Sequence, residues 1–271
     1  MNKTAKLIIW IVILVAVLVG LGFYCYGYIQ HATTGNDHPV ATIEIDGRGT
    51  IKMELYPEYA PNTVANFIKL AEKGYYNDKV FFAKDTMNLY VGETQAGEDV
   101  HPHLSTIFDL KENEQDYEYS IEGEFILNGF KQNTLRADKW SVLLYREDYT
   151  SMLPQLATQS YNSGHSQFAI VMDDANSAAV NGGYATFAKV IEGFDVLEDI
   201  FKNVPVAVTE GAEDAAATQS VQKFQNYPVM KSVTVDTHGI DYGYPTVQEA
   251  FDYQSYMYDF INQYYGGGTA Q

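Results

Sequence analysis

Two stretches of the chain carry residue types that could do chemistry, and the first is Gly164-His165-Ser166-Gln167. A Gly-x-Ser-x-Gly sequence is typical of the sharp strand-to-helix turn on which some hydrolases expose a nucleophilic serine. Phe168 stands where the second glycine would be needed, and the flanking residues have the composition of a strand. The missing glycine and the strand-like flanks therefore argue against a serine hydrolase.

The second stretch is His101-Pro102-His103, which follows Glu98 and Asp99. Imidazole and carboxylate groups bind divalent metals, but protein metal sites use a closed set of ligands at helical or knuckle spacing. The sequence shows no such spacing here, so it favours a solvated loop. We expect no metal site, and we expect no cofactor because no motif for a nucleotide or a flavin is present.

The chain is strongly acidic, with 35 Asp and Glu against 17 Lys and Arg among its 271 residues, a net charge of −18. Such a charge repels phosphate backbones, which excludes nucleic acid as an expected partner. The apolar fraction of 46% is ordinary for a globular protein and allows a sizeable core.

An uncharged, apolar stretch follows Lys3 and Lys6, and it is long enough to cross a hydrocarbon core, which needs about 20 residues. Its end is rich in bulky aromatic residues instead of the small residues of a cleavage site. We predict a transmembrane signal anchor at residues 7–29, with a cleaved secretory signal as the alternative.

The two lysines place residues 1–6 in the cytoplasm by the positive-inside tendency. The protein is then a single-pass protein of the cell membrane, bound to the lipid bilayer through residues 7–29, with an extracytoplasmic C-terminal domain. Residues 30–39 are polar and predict a linker to the folded part.

Alternating apolar and polar residues on both sides of Asp46-Gly47-Arg48-Gly49 predict a hairpin. Pro61 can begin a helix that ends near Gly74, because apolar residues recur between them at helical spacing. The pattern indicates a mainly β fold with few helices. Further strands are predicted at about residues 121–127, 140–145, 166–172, 184–190 and 229–235.

Two capping boxes predict further helices, one opening at Asp195-Val196-Leu197-Glu198 and one between Thr246 and Glu249. Residues 210–220 have the composition of a flexible loop. The second helix would extend to about Tyr265 within an aromatic-rich segment, residues 240–271. This helix either packs back on the domain at residues 40–239 or docks a partner protein of the cell envelope.

The segment from Tyr56 to Phe82 resembles the opening of the cyclophilin family, and four more blocks follow in the family's order. The resemblance implies a closed eight-stranded antiparallel barrel capped by two helices. Pro61, Asn66, Phe67, Gly74, Tyr75 and Tyr76 carry the first match. The other blocks are Ile121–Leu135, Ser163–Met172, Asn181–Ile200 and Pro228–Gly239.

The family's chemistry is the isomerisation of Xaa-Pro bonds, whose rotation must overcome amide resonance, a barrier of about 18–20 kcal/mol for peptide bonds. Catalysis requires tighter binding of the twisted amide than of either planar form. The resemblance implies that an arginine donates to the twisted amide with support from a glutamine, while an apolar pocket holds the proline ring.

The family's Phe-His-Arg strand corresponds here to Phe81-Phe82-Ala83, which puts Ala83 at the position of the arginine. A slip of one residue would put Lys84 there, but neighbouring strand residues point to opposite faces. A lysine would also offer a point charge instead of a planar fork. No catalytic residue is therefore assigned.

Other substitutions fall on the predicted substrate groove. Tyr90 takes the place of the supporting glutamine, or Val91 does in an ungapped alignment. Tyr145 stands where the family has a small residue, and Ala169 replaces the phenylalanine of the proline pocket. The predicted groove residues are Phe81, Tyr90, Tyr145, Gln167, Phe168, Ala169, Val180 and Tyr184.

Two functions are consistent with these residues. One is a membrane-anchored, extracytoplasmic peptidyl-prolyl cis-trans isomerase of weak activity that assists the folding of secreted proteins. The alternative is a non-catalytic module that binds peptides or scaffolds proteins. In both, proline-containing peptides or unfolded secreted proteins are the expected partners.

Overall fold

A computed structural model of the chain describes residues 38–98, 100–151, 153–174, 180–207 and 221–265. The predicted anchor at residues 7–29 and the predicted loop at residues 210–220 lie outside the described residues. Within the described ranges, no helix is both long enough and apolar enough to cross a membrane.

The predicted N-terminal hairpin is present as strands Val40–Ile45 (β1) and Gly49–Leu55 (β2), paired antiparallel with Ile43 opposite Ile51. Alternate residues of both strands are buried, as a half-buried sheet requires. Gly47 has φ 65°, a left-handed conformation that suits glycine in the turn.

The strands after β2 are Val80–Lys84 (β3), Asn88–Glu93 (β4), Tyr119–Ser120 (β5), Ser141–Leu144 (β6), Phe168–Val171 (β7), Thr186–Glu192 (β8), Gln222–Lys223 (β9), Met230–Asp236 (β10) and Gln248–Glu249 (β11). Nine strands of the described residues form one antiparallel sheet in the order β10-β1-β2-β8-β6-β7-β4-β3-β9. Val80 of β3 forms an isolated bridge with Val229, the residue before β10, so the sheet curls until these strands meet.

The prediction of a mainly β, antiparallel fold is confirmed. The sheet has nine strands where eight were expected, because the short strand β9 adds to the free edge of β3 at Ala83 and Lys84. Strand β9 belongs to a small hairpin between the last sheet-packing helix and β10, in which Ala207 donates to the carbonyl of Lys223 at 2.7 Å.

Five α-helices lie wholly in the described part of the chain: Pro61–Glu72 (α1), Leu104–Ile107 (α2), Ala157–Tyr161 (α3), Phe194–Asn203 (α4) and Tyr253–Tyr265 (α5). Pro61 begins α1 as predicted, because its missing N–H costs nothing in a first turn. Helix α1 contacts β10 and α4 contacts β2. Helix α4 starts after Gly193, whose φ of 81° ends the preceding strand, and not at the predicted capping residue Asp195.

The strand predicted at residues 121–127 does not form as a strand. Only Ile121 makes a bridge, to Gly164, and Ile126–Asn128 is a short 3-10 helix. The backbone turns here because the Glu124 carboxylate faces the start of α1, where it accepts from the Thr63 amide at 2.7 Å. A tertiary contact therefore overrides a local strand preference.

Residues 240–251, the start of the aromatic-rich C-terminal segment, pack back on the sheet domain. Strand β11 pairs with β5, and the Tyr244 ring stacks on Phe108 with centroids 5.0 Å apart. Helix α5 starts at Tyr253 and not at Thr246, because the Thr246 backbone amide donates to the Asn62 side chain at 2.7 Å. The predicted capping box is thus used for a contact with α1.

Candidate functional site

The strand that would carry the catalytic arginine contains a bulge. Phe81 lies opposite Val91 and Ala83 lies opposite Tyr90, so Phe82 is the extra residue in β3. Phe82 and Ala83 therefore both pack in a cluster outside the sheet interior, together with Val80. Ala83 has no solvent-exposed surface, because β9 pairs with it on the other side.

Lys84 does not supply a cation beside Ala83. Its ammonium donates to the backbone carbonyl of Phe201, in the last turns of α4, and lies 5.3 Å from the centroid of that phenylalanine ring. Burial lowers the pKa of the Lys84 ammonium, since desolvation disfavours its charge. The alternative register is therefore not a route to a donor in the groove.

The chain has only three arginines, and each has partners that account for its guanidinium. None of these partners is Ala83 or its neighbours in β3. Arg48 pairs with Asp199 at 2.6 Å, Arg136 pairs with Asp138 at 3.2 Å, and Arg146 donates to the Gly183 carbonyl at 3.0 Å.

Tyr90 packs against the cluster of Val80, Phe82 and Ala83, on the side of the sheet that faces away from the main core, called here the outer face. Its hydroxyl is held by a carboxylate. Its hydroxyl donates to Asp85 at 2.6 Å, and the other oxygen of Asp85 accepts from the Met87 and Asn88 backbone amides. Burial, followed by this hydrogen bond, raises the pKa of Tyr90, so the phenol stays protonated at physiological pH. The half-buried Tyr145 ring meets Tyr90 edge-on, with centroids 5.9 Å apart.

Ala169 lies beside Tyr90 on the neighbouring strand. It lies opposite Tyr90 on β4 and opposite Leu143 on β6, and it is 5% exposed. Val180 and Tyr184 pack against a cluster that contains Leu143, which brings them to the same face. The structure thus gathers five predicted groove residues into one surface: Tyr90, Tyr145, Ala169, Val180 and Tyr184.

The other predicted groove residues lie elsewhere. Phe81 and Phe168 are 0% and 1% exposed and belong to the main core, where Phe168 meets Phe67 with ring centroids 5.9 Å apart. Gln167 is 3% exposed and lies against Gly92, at which an added Cβ would come within 3.1 Å of the Gln167 Cα. Gly92, which has no side chain, therefore permits close packing of β4 on the chain entering β7.

The stretches at residues 164–167 and 101–103, whose residue types could do other chemistry, have structural roles. His165 and Ser166 are hydrogen-bonded at 2.9 Å, but both are buried, at 2% and 1% exposure, beyond the reach of a substrate. His101 stacks on His165, and His103 lies 3.5 Å from Asp116. Among the residues that the structure describes, no group of three or more His, Cys, Asp or Glu side chains could hold a metal ion.

Three contributors to this surface were not predicted from the sequence. Phe82 reaches the outer face because of the bulge, and Lys223 lies 6.0 Å from its ring centroid. The Arg146 guanidinium lies 4.6 Å from the Tyr184 ring centroid. The sequence gives no indication that Arg146 has an aromatic partner 38 positions later.

The comparisons with known proteins agree with this fold. Residues 40–226 match the family described as cyclophilin type peptidyl-prolyl cis-trans isomerase/CLD. The chain is 30% identical over 154 residues to peptidyl-prolyl cis-trans isomerase 10 of Caenorhabditis elegans, covering 56% of this chain and 76% of that protein. It is 26% identical to peptidyl-prolyl cis-trans isomerase-like 2 of Rhizopus delemar, covering 66% of this chain but only 28% of that protein.

Among solved structures, a cyclophilin type peptidyl-prolyl cis-trans isomerase of Cryptosporidium parvum, crystallised in the presence of the dipeptide Ala-Pro, has a TM-score of 0.49 and 20% identity. The match covers 73% of this chain and 98% of the Cryptosporidium chain. The family match extends over more than half of the sequence and includes eight of the nine strands of the curled sheet, all except β10. The chain belongs to the cyclophilin-type peptidyl-prolyl cis-trans isomerase family.

Proposed function

We propose that this protein binds proline-containing segments of secreted proteins through the outer face around Tyr90 and Ala169, and isomerises their Xaa-Pro bonds only weakly. The observation that carries the proposal is the burial of Ala83, at 0% exposure, with all three arginines bonded elsewhere. Loss of one preorganised donor from a transition-state site costs about 10²–10³ in rate. Family membership supports the substrate class.

A non-catalytic peptide-binding or scaffolding module is the second candidate. It is favoured by Tyr145, which by the resemblance stands at the position of a small residue and meets the Tyr90 ring edge-on. The two candidates share the same ligand and differ in whether any acceleration remains.

The proposed location is outside the cytoplasm, on a single-pass anchor at residues 7–29, with the folded domain at residues 40–239. The support is the apolar run behind Lys3 and Lys6 in the sequence. A role in folding of secreted proteins follows from that location. The segment at residues 240–271 could additionally contact an envelope protein, since Tyr258 on α5 is 69% exposed.

The test is an isomerisation assay on the full-length chain in detergent, with an Ala-Pro peptide and exchange between cis and trans signals measured by NMR. We expect an acceleration at least tenfold below that of an ordinary cyclophilin assayed in parallel. Chemical-shift changes on the Tyr90 and Ala169 signals would establish binding independently of rate. A rate within tenfold of the ordinary cyclophilin would contradict the weak-activity proposal, and no binding at any peptide concentration would contradict the ligand class.

A further inference from the structure

A cavity of about 460 Å³ lies where the C-terminal segment meets the sheet domain. Its size is in the range of small-ligand sites, which are about 300–1,000 Å³. Its walls come from Glu118 before β5, from Glu147 and Tyr149 after β6, and from residues 249–254, which lead from β11 into α5. No predicted groove residue is among the described residues that line it. Residues 249–254 lie beyond the stretch that matches the family model, residues 40–226, so family membership does not account for this cavity.

Three aromatic rings form one wall of the cavity. The Tyr149 and Tyr253 rings are stacked, with centroids 4.8 Å apart and 7° between their planes, and the Phe251 ring meets Tyr149 at 61° with centroids 5.5 Å apart. All three side chains are half-buried. Because the rings hold one another, a ligand does not have to order them, which lowers the entropic cost of binding. The face of an aromatic ring carries negative partial charge, so this wall attracts cations.

Acidic side chains complete the lining, namely Glu118, Glu147, Glu249 and Asp252. Asp252 caps α5, where its two oxygens accept from the Ser255 amide at 2.9 Å and from the Ser255 hydroxyl at 2.6 Å. Glu118 and Glu249 are exposed to solvent. No lysine or arginine is among the described residues that line the cavity, so the local field is negative, like the net charge of −18.

The arrangement suits an organic cation better than a metal ion. His101 also lines the cavity, and its ring is stacked on the buried His165 with centroids 4.1 Å apart. Within the described ranges, however, no three His, Cys, Asp or Glu side chains could hold a metal ion, so the carboxylates do not converge on one point. A guanidinium spreads five N–H donors over a plane, and it can therefore reach separated carboxylates while its flat face stacks on a ring.

We infer that this cavity binds the guanidinium of an arginine side chain on a partner polypeptide, with the rings of Tyr149 and Tyr253 beside its plane and Glu118 and Glu249 as acceptors. Lysine is a poorer ligand, because its compact ammonium is strongly hydrated and lacks the planar fork. A fully methylated ammonium has no N–H donor, so it would leave the carboxylates unbonded. The site requires no proline in its ligand, and it can therefore be tested separately from the proposed function.

The experiment uses the full-length chain in neutral detergent, with its alanines labelled with ¹⁵N for NMR. Ala250 lines the cavity and Ala169 lies beside Tyr90 on the outer face, so one spectrum reports on both places. The probes are blocked, proline-free peptides of the form Gly-Gly-Xaa-Gly-Gly, in which Xaa is arginine, lysine or citrulline. Citrulline has nearly the shape of arginine but no charge. Free arginine is the fourth probe.

We expect the arginine peptide to shift the Ala250 signal and to leave the Ala169 signal unchanged. At low salt it should bind about tenfold more tightly than the citrulline peptide and about threefold more tightly than the lysine peptide, because charge and planarity both contribute. Higher salt should weaken its binding, since exposed charges are screened. Free arginine should bind more weakly than the peptide, because its own carboxylate is repelled by the acidic lining.

Variants of the lining test the two kinds of contact. Glu249→Gln should weaken binding of the arginine peptide about threefold to tenfold by removing a charged acceptor, whereas Glu112→Gln, an exposed carboxylate outside the cavity, should bind like wild type. Tyr253→Leu removes a ring and keeps an apolar side chain, and it should weaken binding about threefold. Tyr149→Leu is the second ring removal if Tyr253→Leu disturbs α5. Tyr258→Leu, at an exposed ring of α5, is the matched control.

Equal affinity for the arginine and citrulline peptides, or a shift of Ala169 without a shift of Ala250, would overturn the inference. Wild-type affinity in folded Glu249→Gln and Tyr149→Leu variants would also overturn it, because the attraction would then come from the net charge alone. Tighter binding of free arginine than of the arginine peptide would overturn the assignment to a polypeptide. None of these outcomes decides the proposed function, since no probe contains proline.

Discussion

The guanidinium of Arg146 lies 4.6 Å from the ring centroid of Tyr184 and donates to the carbonyl of Gly183, the residue before that tyrosine. The same guanidinium bonds to Ser160 at 3.1 Å and faces the Phe125 ring at 5.5 Å. One arginine therefore ties the chain that leads into β8 to two distant segments. Arg146 therefore has a structural role in one wall of the groove.

Replacing Arg146 by methionine should lower the free energy of unfolding by about 2–4 kcal/mol, because cation–π contacts and several hydrogen bonds are lost together. The free energy of unfolding of Arg146→Lys should lie between those of wild type and Arg146→Met, since lysine keeps the charge but lacks the planar fork. Urea unfolding measures both. Arg136→Met removes an exposed pair with Asp138 and should change stability by less than about 0.5 kcal/mol. Equal losses of unfolding free energy in Arg146→Met and Arg136→Met would contradict the structural role of Arg146.

Replacing Ala83 by arginine should not restore isomerase activity. The position has no exposed surface and is flanked by Tyr90 and Lys223, so the larger, charged side chain would have to displace β9. Overpacking of this kind costs about 1–3 kcal/mol. Thermal unfolding and the isomerisation assay together test this, with Ala83→Ser as a small control. A tenfold gain in rate at unchanged stability would show that the groove is open at this position.

Glu124 gives a pH dependence whose sign is set by burial. The carboxylate is 4% exposed; its desolvation raises the pKa of Glu124, while hydrogen bonds from Asn62 and Thr63 lower it by less. A carboxyl whose pKa is raised in the folded state stabilises the fold at low pH and loses that contribution as pH rises through the folded pKa. The effect therefore lies above the ordinary glutamate value of 4.5.

The measurement is urea unfolding of wild type and Glu124→Gln across that range. The stability of wild type relative to the variant should increase as pH falls from about 7 to about 4, because only wild type gains by binding the proton. The exposed Glu112→Gln variant controls for general carboxylate effects, because Glu112 does not contribute to the pKa shift of Glu124. A difference that shrinks toward low pH would mean that the hydrogen bonds outweigh desolvation.

Asn62 joins α1 to the C-terminal segment through two reciprocal bonds. Its amide donates to the Thr246 carbonyl at 2.9 Å, and its carbonyl oxygen accepts from the Thr246 amide at 2.7 Å. Asn62→Ala should speed hydrogen exchange of the Thr246 and Ala250 amides about tenfold, by easier local opening of the segment. Gln132→Ala, which removes a bond to Glu58 outside this segment, should leave both rates unchanged. Unchanged exchange in Asn62→Ala would mean that β11 alone holds the segment.

The sequence predicted the local elements of the fold well, and the reason is visible in particular residues. Alternation around the turn at Gly47 predicted β1 and β2, and Pro61 with Val64 and Phe67 predicted α1. These signals depend on neighbours within a few positions, where side-chain periodicity follows directly from backbone geometry. The strands near residues 141, 168, 186 and 230 were predicted to within a few residues for the same reason.

Predictions failed where a distant partner competes with a local preference. Residues 121–127 have strand composition, but Glu124 is turned toward Thr63, 61 positions earlier. Thr246 has the sequence of a helix cap, but its amide is bonded to Asn62, 184 positions earlier. A single sequence contains no signal that pairs such residues, so local propensity was overridden by contacts it could not reveal.

At the candidate site, too, the sequence predicted some features and the tertiary structure decided others. By itself the sequence determined that residue 83 is an alanine, which the resemblance to the ordered blocks of the family predicts to stand at the position of the arginine. Only the tertiary structure decided that Ala83 is covered by β9, that a bulge turns Phe82 outward beside Tyr90, and that Lys84 bonds to α4. Residue identity limits which groups are available, whereas the direction and burial of a side chain depend on strand pairings between residues far apart in the chain.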